Sequence, residues 1–155
     1  MADNKIFTLD DGTEALTITN TFGDEIATIH VRTGDIGIVD RYNEFTNGFD
    51  KIIAPLSGLS IKSDGTSSFD DDWQKIKSVE KELVSKLNDI FGSTDIGKLF
   101  ESRNAFSTIN GVFYVEKVID MLGNVVAEAI SKEAEKTQKR VEKYTKDIHR
   151  KESMK

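Results

Sequence analysis

This chain of 155 residues contains no cysteine, which excludes disulfides, thiolate metal sites and cysteine nucleophiles. It also lacks an excess of basic charge: its net charge is −6, whereas a protein that binds a phosphate backbone needs a net basic face. No apolar run approaches the roughly 20 residues of a membrane-spanning helix. The first residues, MADNKIFTLDDG, have neither a basic leader nor an apolar signal core. We therefore expect a cytoplasmic protein that binds neither membranes nor nucleic acid.

Side chains with catalytic chemistry are equally scarce. The two histidines, His30 and His149, have no nucleophile or second ligand at motif spacing. The aspartates at 70–72 lack the spaced ligands of a calcium loop, so helix capping is the better interpretation. The GDIG sequence at 34–37 lacks the Gly-Lys-Ser/Thr of a phosphate loop, and no G-x-S-x-G motif occurs. We expect a protein that is not an enzyme, with no catalytic, cofactor-binding or metal-binding residues and no cofactor.

The length of the chain fits a single domain, residues 1–155, that can bury a real core. Charge is distributed unevenly along it. Residues 132–155 contain nine Lys/Arg against five Asp/Glu, so this tail is basic and the remainder strongly acidic. Glu135 with Lys139, and Glu142 with Lys146, lie at helical offsets that are typical of a solvated helix face. Contact with an acidic protein surface is the alternative interpretation of this tail.

Residues 1–33 are predicted to form an antiparallel β-meander of three strands, which makes the fold class α+β. Between residues 16 and 31 the side chains alternate with a period of two and include many β-branched types, a pattern typical of half-buried strands. The sequences DDG at 10–12 and FGDE at 22–25 supply the turns between strands. The segment KIFTL at 5–9 is the first strand in this prediction.

Residues 35–150 are predicted to contain three main helices. Asp35 is a suitable N-cap for the first, at about 36–54, and Asn47-Gly48 could break it. Its predicted apolar stripe is Ile36, Val39, Tyr42 or Asn43, Phe45 and Phe49. The Gly/Ser/Asp-rich stretch near 57–69 is predicted to be a mobile loop.

The second helix is predicted to begin within 68–72 and to end at Gly92, a plausible C′ glycine. Apolar residues recur every three or four positions along it, and this spacing predicts a single buried face. The residues of this stripe are Trp73, Ile76, Val79, Leu83, Leu87 and Ile90.

The third helix is predicted to run from about 113 to 148. At 1.5 Å per residue it would be roughly 54 Å long, more than a small domain needs. Its apolar face is broad up to Ile130 and narrow beyond, so we expect its second half to protrude, fray or pack on another chain. Val141, Tyr144 and Ile148 continue the narrow stripe and are candidate partner-binding residues.

The connection between the second and third helices is unusually aromatic for a connector. Phe100 and Phe106 have two interpretations: they are core side chains of a structured loop, or they are candidate partner-binding residues. The sequence IGKLF at 96–100 is predicted to form one helical turn that places Leu99 and Phe100 at the junction of the two helices. If these phenylalanines are buried, the binding surface must be sought on the long final helix and the outer faces.

The order of these features resembles the small tail assembly chaperones of long-tailed, siphovirus-type phages and prophages of Gram-positive bacteria. The resemblance rests on FTLDDGTEALTI at 7–18, GDIGIVDRYNEF at 34–45, and the pairing of VEKELVSKLNDIFG with LFESRNAFSTINGVFYVEKVIDML. It covers residues from about 7 to 146 and includes the Lys143-Tyr144 pair near the end of the final helix.

The resemblance implies a non-catalytic protein in the cytoplasm of a bacterial host. Such a chaperone binds the tape-measure protein, keeps that long apolar helical chain soluble, and helps recruit tail-tube subunits around it. One alternative is a structural or scaffolding component of a phage particle, or a helical adaptor that forms a homo-oligomer through its final helix. The other alternative is an enzyme of unrecognised type.

Overall fold

A computed structural model describes residues 4–56 and 69–153, with side chains described for 4–56 and 71–146. An antiparallel hairpin precedes three helices, of which the last is the longest, so the α+β class predicted from the sequence is confirmed. The predicted mobile loop near 57–69 lies outside the described residues, apart from Phe69, at which a helix begins.

The N-terminal hairpin consists of β1, Thr13–Thr19, and β2, Glu25–Arg32, which pair antiparallel with Leu16 opposite Ile29. The two strands turn one apolar face toward the core, because side chains alternate across a strand. This face is fully buried along β2 and half-buried along β1. Its residues are Leu16, Ile18, Ala27, Ile29 and Val31.

The first strand of the predicted meander is not formed. Residues 4–12 contain no strand, and the side chains of Ile6, Phe7 and Leu9 are 93%, 85% and 86% exposed. A short run of β-prone residues becomes a strand only if it finds a hydrogen-bonding neighbour and a surface to pack on. This segment has neither in the described structure, so the prediction of a strand at 5–9, and with it a meander of three strands, was wrong.

The first helix, α1, spans Gly37–Ile53 and continues as a 3₁₀ turn at Ala54–Leu56. It runs through Asn47-Gly48 without the break that the sequence allowed. Its predicted apolar stripe was partly wrong, because Ile36 and Val39 are exposed. The buried face is rotated from that stripe and comprises Ile38 and Phe45, flanked by the half-buried Tyr42, Phe49 and Ile52.

The second helix, α2, spans Phe69–Phe91 and ends at Gly92, whose φ of +60° is the left-handed conformation of a C′ residue. The stripe predicted from the spacing is the face that packs inward. Its C-terminal part is fully buried and its N-terminal part, at Trp73 and Ile76, is half-buried. The buried members are Val79, Leu83, Leu87 and Ile90.

A 3₁₀ helix at Ile96–Phe100 and a small hairpin lead into the last helix. The hairpin pairs β3, Thr108–Ile109, with β4, Val112–Phe113, around Asn110 and Gly111, which both have positive φ as a type I′ turn requires. The last helix, α3, spans Tyr114–Ser153. One cluster of buried residues joins the hairpin, the helices and the 3₁₀ turn. Its largest fully buried side chains are Phe91, Ile29, Ile38, Leu83, Leu87, Ile96, Leu99 and Leu122.

Candidate partner-binding surfaces

The connector after α2 is folded into the core at Phe100. The predicted helical turn is present, and Leu99 and Phe100 are 0% and 7% exposed. The Phe100 ring contacts the Tyr114 ring edge-on, with centroids 5.6 Å apart, and the Tyr114 hydroxyl donates a hydrogen bond to the Leu99 carbonyl at 3.0 Å. Of the two interpretations of Phe100, the structure shows the core side chain, so it offers little surface to a partner.

Phe106 lies at the margin of the same core. It is half-buried and packs edge-on against Phe113, with ring centroids 5.5 Å apart. The backbone around it is fixed by two bonds to other elements: the Ala105 N–H donates to Glu80 at 2.7 Å, and the Val115 N–H donates to the Ala105 carbonyl at 2.8 Å. Phe106 therefore belongs to a fixed structural loop, and its ring is only partly exposed to solvent.

Asp95 ties the connector to the β-hairpin. One carboxylate oxygen accepts the His30 backbone N–H at 2.9 Å and the Ser93 hydroxyl at 2.8 Å, and the other lies 2.8 Å from the His30 ring nitrogen Nδ1. Burial acts to raise the pKa of Asp95, but these hydrogen bonds outweigh it and bring the pKa to about 2. His30 is exposed on β2, so this arrangement anchors the outer edge of that strand.

The Asp35 and Arg41 side chains connect the start of α1 to the end of α2. The Asp35 carboxylate accepts the Gly37 N–H at 2.9 Å and pairs with the Arg41 guanidinium at 2.7 Å. The Arg41 hydrogen bond first, and the Gly37 bond second, lower the pKa of Asp35 below its ordinary value. Arg41 also donates two hydrogen bonds to the Ile90 carbonyl, at 3.1 and 2.9 Å. The motif GDIGIVDRY thus performs a structural role that the sequence reasoning did not anticipate. The N-cap position of α1 is Ile36, without a side-chain cap bond, so the prediction of Asp35 as the N-cap was wrong by one residue.

The second half of α3 leaves the core. Every residue from 131 to 146 is exposed, whereas Val126 is 4% exposed. Val141 and Tyr144, both predicted to bind a partner, are 51% and 58% exposed, and they lie three residues apart on one side of the helix. The Ile148 side chain lies outside the described residues. The predicted protrusion therefore exists, and it presents two of the three predicted side chains to solvent.

The charged residues of this exposed segment are mostly separate. Its described side chains form one ion pair within the segment, Lys136 with Glu133 at 4.0 Å, and one with the preceding turn, Lys132 with Glu128 at 3.0 Å. The offsets Glu135 to Lys139 and Glu142 to Lys146 do not bring their charges within 4.0 Å in the described side chains. The lysines at those positions are therefore available to an acidic partner as well as to solvent.

A groove of about 410 Å³ between α1 and α3 is a surface that the sequence reasoning missed. Val39, Tyr42 and Phe91 line one side, and Gly123 and Val126 line the other. Burial raises the pKa of the Tyr42 hydroxyl. The groove was missed because Val39 was assigned to the buried stripe of α1, and only a correct rotation of that helix could have exposed it.

Within the described side chains, no group of three or more acidic or histidine residues is placed to hold a metal ion. No helix in the described part of the chain has the length and apolar character needed to cross a bilayer.

No protein-family model matches the chain, and neither a curated protein nor a solved structure is detectably similar to it. The geometry and the residue pattern are therefore the ground for a functional proposal.

Proposed function

We propose that this chain is a non-catalytic tail assembly chaperone of a siphovirus-type phage or prophage, acting in the cytoplasm of the bacterial host. It binds the helical tape-measure protein and helps recruit tail-tube subunits. The choice of this family comes from the resemblance in sequence. The observation that supports a binding role is the exposed half of α3, which carries apolar side chains that the chain's own core does not use.

The spacing on this half of α3 suits a helical client. From Ile130 the positions with apolar or small side chains recur at alternating intervals of four and three residues, the spacing of a helix that packs on another helix. They are Ile130, which packs at the margin of the core, followed by Ala134, Thr137, Val141, Tyr144 and Ile148. A helix that already protrudes from the core offers such a seam without any rearrangement of the fold.

The strength of such contacts matches reversible binding. A large apolar side chain buried on binding contributes roughly 1.5 to 3 kcal/mol before ordering costs, so a few of them hold a client without trapping it. Charge adds selectivity, because residues 132–155 carry nine Lys/Arg against five Asp/Glu. We expect the client helix to present an apolar stripe flanked by acidic residues.

The direct test is co-purification with the cognate tape-measure protein that the proposal requires. We expect wild type to keep that protein soluble when the two are co-expressed. The double variant Val141→Gln/Tyr144→Gln removes the exposed apolar surface without changing charge, and we expect it to weaken binding about tenfold or more. Isothermal titration or a quantitative pull-down measures the change.

The matched control is Glu142→Gln/Lys143→Gln. Both of these exposed residues lie on the side of α3 away from Val141 and Tyr144, and the pair of changes preserves the net charge. We expect the control to bind as wild type does. Folded wild type that neither binds nor solubilises the tape-measure protein would sink the proposal.

A self-associating adaptor or scaffolding component is the second candidate, favoured by the same exposed seam, since two copies of α3 could pack on each other. Light scattering over a concentration series separates the two, because an adaptor of this kind forms oligomers that Val141→Gln/Tyr144→Gln dissolves. Detection of the protein in purified virions would also support the structural component over the chaperone.

A further inference from the structure

The N-terminal segment of the described chain is an apolar arm without a partner. We define the arm as residues 4–9, which contain Ile6, Phe7 and Leu9 and form no secondary structure. These three side chains are the most exposed group of large apolar residues in the described structure, together with Phe22 at the hairpin turn. Exposed apolar side chains this close together mark a site of association.

The arm does not pack on its own hairpin. Asp10 accepts the Gly12 N–H, and Asp11 accepts both the N–H and the hydroxyl of Thr13, at 3.0, 3.0 and 2.6 Å. These local bonds fix the chain just before β1, and the arm beyond them makes no contact that covers its apolar side chains. The arm therefore does not occupy the neighbouring strand edge of its own chain.

The outer edge of β1 is the complementary open surface. The sheet contains two strands. The edge of β2 that faces away from β1 lies against the connector, where the His30 N–H donates a hydrogen bond to Asp95. The outer edge of β1 has no strand beside it in the described residues. Its inward-facing side chains, Leu16 and Ile18, are only half-buried, unlike Ile29 and Val31 on β2. An open edge of this kind is a template for strand addition.

We infer that the chain forms a dimer in which the arm of each copy adds as a β-strand to the open edge of β1 in the other copy. The partner that fills the open edge of β1 is a second copy of this chain, because one chain carries both complementary parts: an unpaired apolar arm and an unpaired apolar strand edge. Reciprocal exchange about a two-fold axis satisfies both edges at once and closes the assembly. The inference does not rest on the proposed chaperone function.

One antiparallel register places two of the three apolar arm side chains on the core-facing side of the sheet and leaves Ile6 on the outer face, opposite Thr19. Placing Phe7 opposite Ile18 and Leu9 opposite Leu16 lays both arm side chains on the core-facing side of the sheet, where they cover the half-buried residues of β1. The same register puts Thr8 opposite Thr17, with both threonines on the outer, polar face. Thr17 already shares a hydrogen bond with Thr28 of β2 on that face, at 3.0 Å.

The absence of cysteine from this chain makes the register directly testable. Two differently tagged single-cysteine chains, Thr8→Cys and Thr17→Cys, are mixed, refolded together and oxidised. Directly opposed residues on paired strands have Cβ atoms about 4.5–5.5 Å apart, close to the range that a disulfide spans. We expect a mixed disulfide between the two tags. Thr8→Cys mixed with Lys139→Cys is the control and should give only background cross-linking.

The dimer is measured by sedimentation over a concentration series, with 17.3 kDa as the monomer mass. We expect wild type to approach twice this mass, and Phe7→Glu to raise the dimer dissociation constant about tenfold or more. Phe22→Glu is the matched control, because Phe22 is equally exposed but lies outside the arm, and it should dimerise as wild type does.

Three results would overturn the inference. The first is a wild type that stays monomeric throughout the series and gives no mixed disulfide. The second is a double variant, Thr8→Cys/Thr17→Cys, that closes its disulfide within one chain, since the arm would then pair with its own β1. The third is a dimer that survives Phe7→Glu and is dissolved by Val141→Gln/Tyr144→Gln, which would place the contact on α3.

Discussion

Asp95 collects hydrogen bonds from His30 and Ser93, and this single carboxylate joins the connector to β2. A folded-state pKa of about 2, below the ordinary value of 3.8, means that folding favours the ionised form. Its stabilising effect is fully present well above the unfolded-state pKa of 3.8 and is lost as the pH falls from about 5 to about 2. At the residue scale, the acid sensitivity of this junction is therefore concentrated at one side chain.

We predict that Asp95→Asn lowers the free energy of unfolding at pH 7 by about 1–2 kcal/mol. The difference between wild type and variant should shrink as the pH approaches 2, since wild-type Asp95 then becomes neutral as well. Urea denaturation at several pH values measures it. Asp11→Asn is the control: the Asp11 pKa is also lowered, chiefly by the Thr13 hydroxyl, but the group is fully exposed and its effect should be smaller. A difference that is independent of pH would contradict the assignment.

Two glycines give opposite expectations for the same substitution. Gly92 has φ +60°, a left-handed conformation that strains an L side chain, so Gly92→Ala should cost about 1–2 kcal/mol of stability and should also displace the flexible Arg32 guanidinium, which a Cβ would meet. Gly48 lies inside α1 with open space around it, so Gly48→Ala should raise stability by about 0.5–1 kcal/mol. Thermal melts of both variants measure the effects, and shifts of the same sign would be inconsistent with these backbone assignments.

At the scale of elements, α3 contains two regions with different surroundings. From Val115 to Ile130 its apolar face completes the core, and from 131 to 146 every side chain is exposed. The boundary lies where large apolar residues give way to alanine and threonine on the same face. The first half of this continuous helix therefore contributes to the stability of the core, and the second half does not.

We predict that Leu122→Asp and Val126→Asp abolish the cooperative melt. Both side chains lie in the core, at 0% and 4% exposure, and an unpaired buried charge costs several kcal/mol, a large part of the roughly 5–15 kcal/mol that stabilises a typical domain. Circular dichroism melts test this. Lys139→Ala, in the exposed half, should change stability by less than about 0.5 kcal/mol. A wild-type melt for Val126→Asp would count against the core assignment.

For the whole molecule, the protruding helix sets the dimensions. A helix of 40 residues is about 60 Å long at 1.5 Å per residue. A compact chain of 155 residues has a radius of gyration of about 15 Å, which corresponds to a sphere only about 39 Å across. Charge follows the same division: the chain carries −6 in total and residues 132–155 carry +4, so residues 1–131 carry −10. The molecule is therefore elongated, with a basic end on an acidic body.

We predict a radius of gyration clearly above about 15 Å for the monomer. Chromatography-coupled X-ray scattering measures it, at a concentration where the forward scattering gives the monomer mass of 17.3 kDa. The compact value would mean that the second half of α3 folds back onto the core in solution.

The sequence determined those features that depend on neighbouring residues in the chain. The apolar period of α2, its end at Gly92 and the single helical turn at Ile96–Phe100 were all predicted, because helix periodicity and positive φ are local properties. The exposure of Val141 and Tyr144 followed from the narrowing of the apolar face along α3.

Only the tertiary structure decided which of several suitable apolar surfaces pack against another element of the same chain. It buried Phe100 against Tyr114, rotated α1 so that Ile38 faces inward and Val39 outward, and left Ile6 and Phe7 without a strand to pair with. Each of these outcomes depends on residues distant in sequence. A side chain is buried, and a strand is paired, only if another element of the fold packs beside it. A local sequence pattern shows that a residue is suited to burial or pairing, but it does not show whether such an element is there.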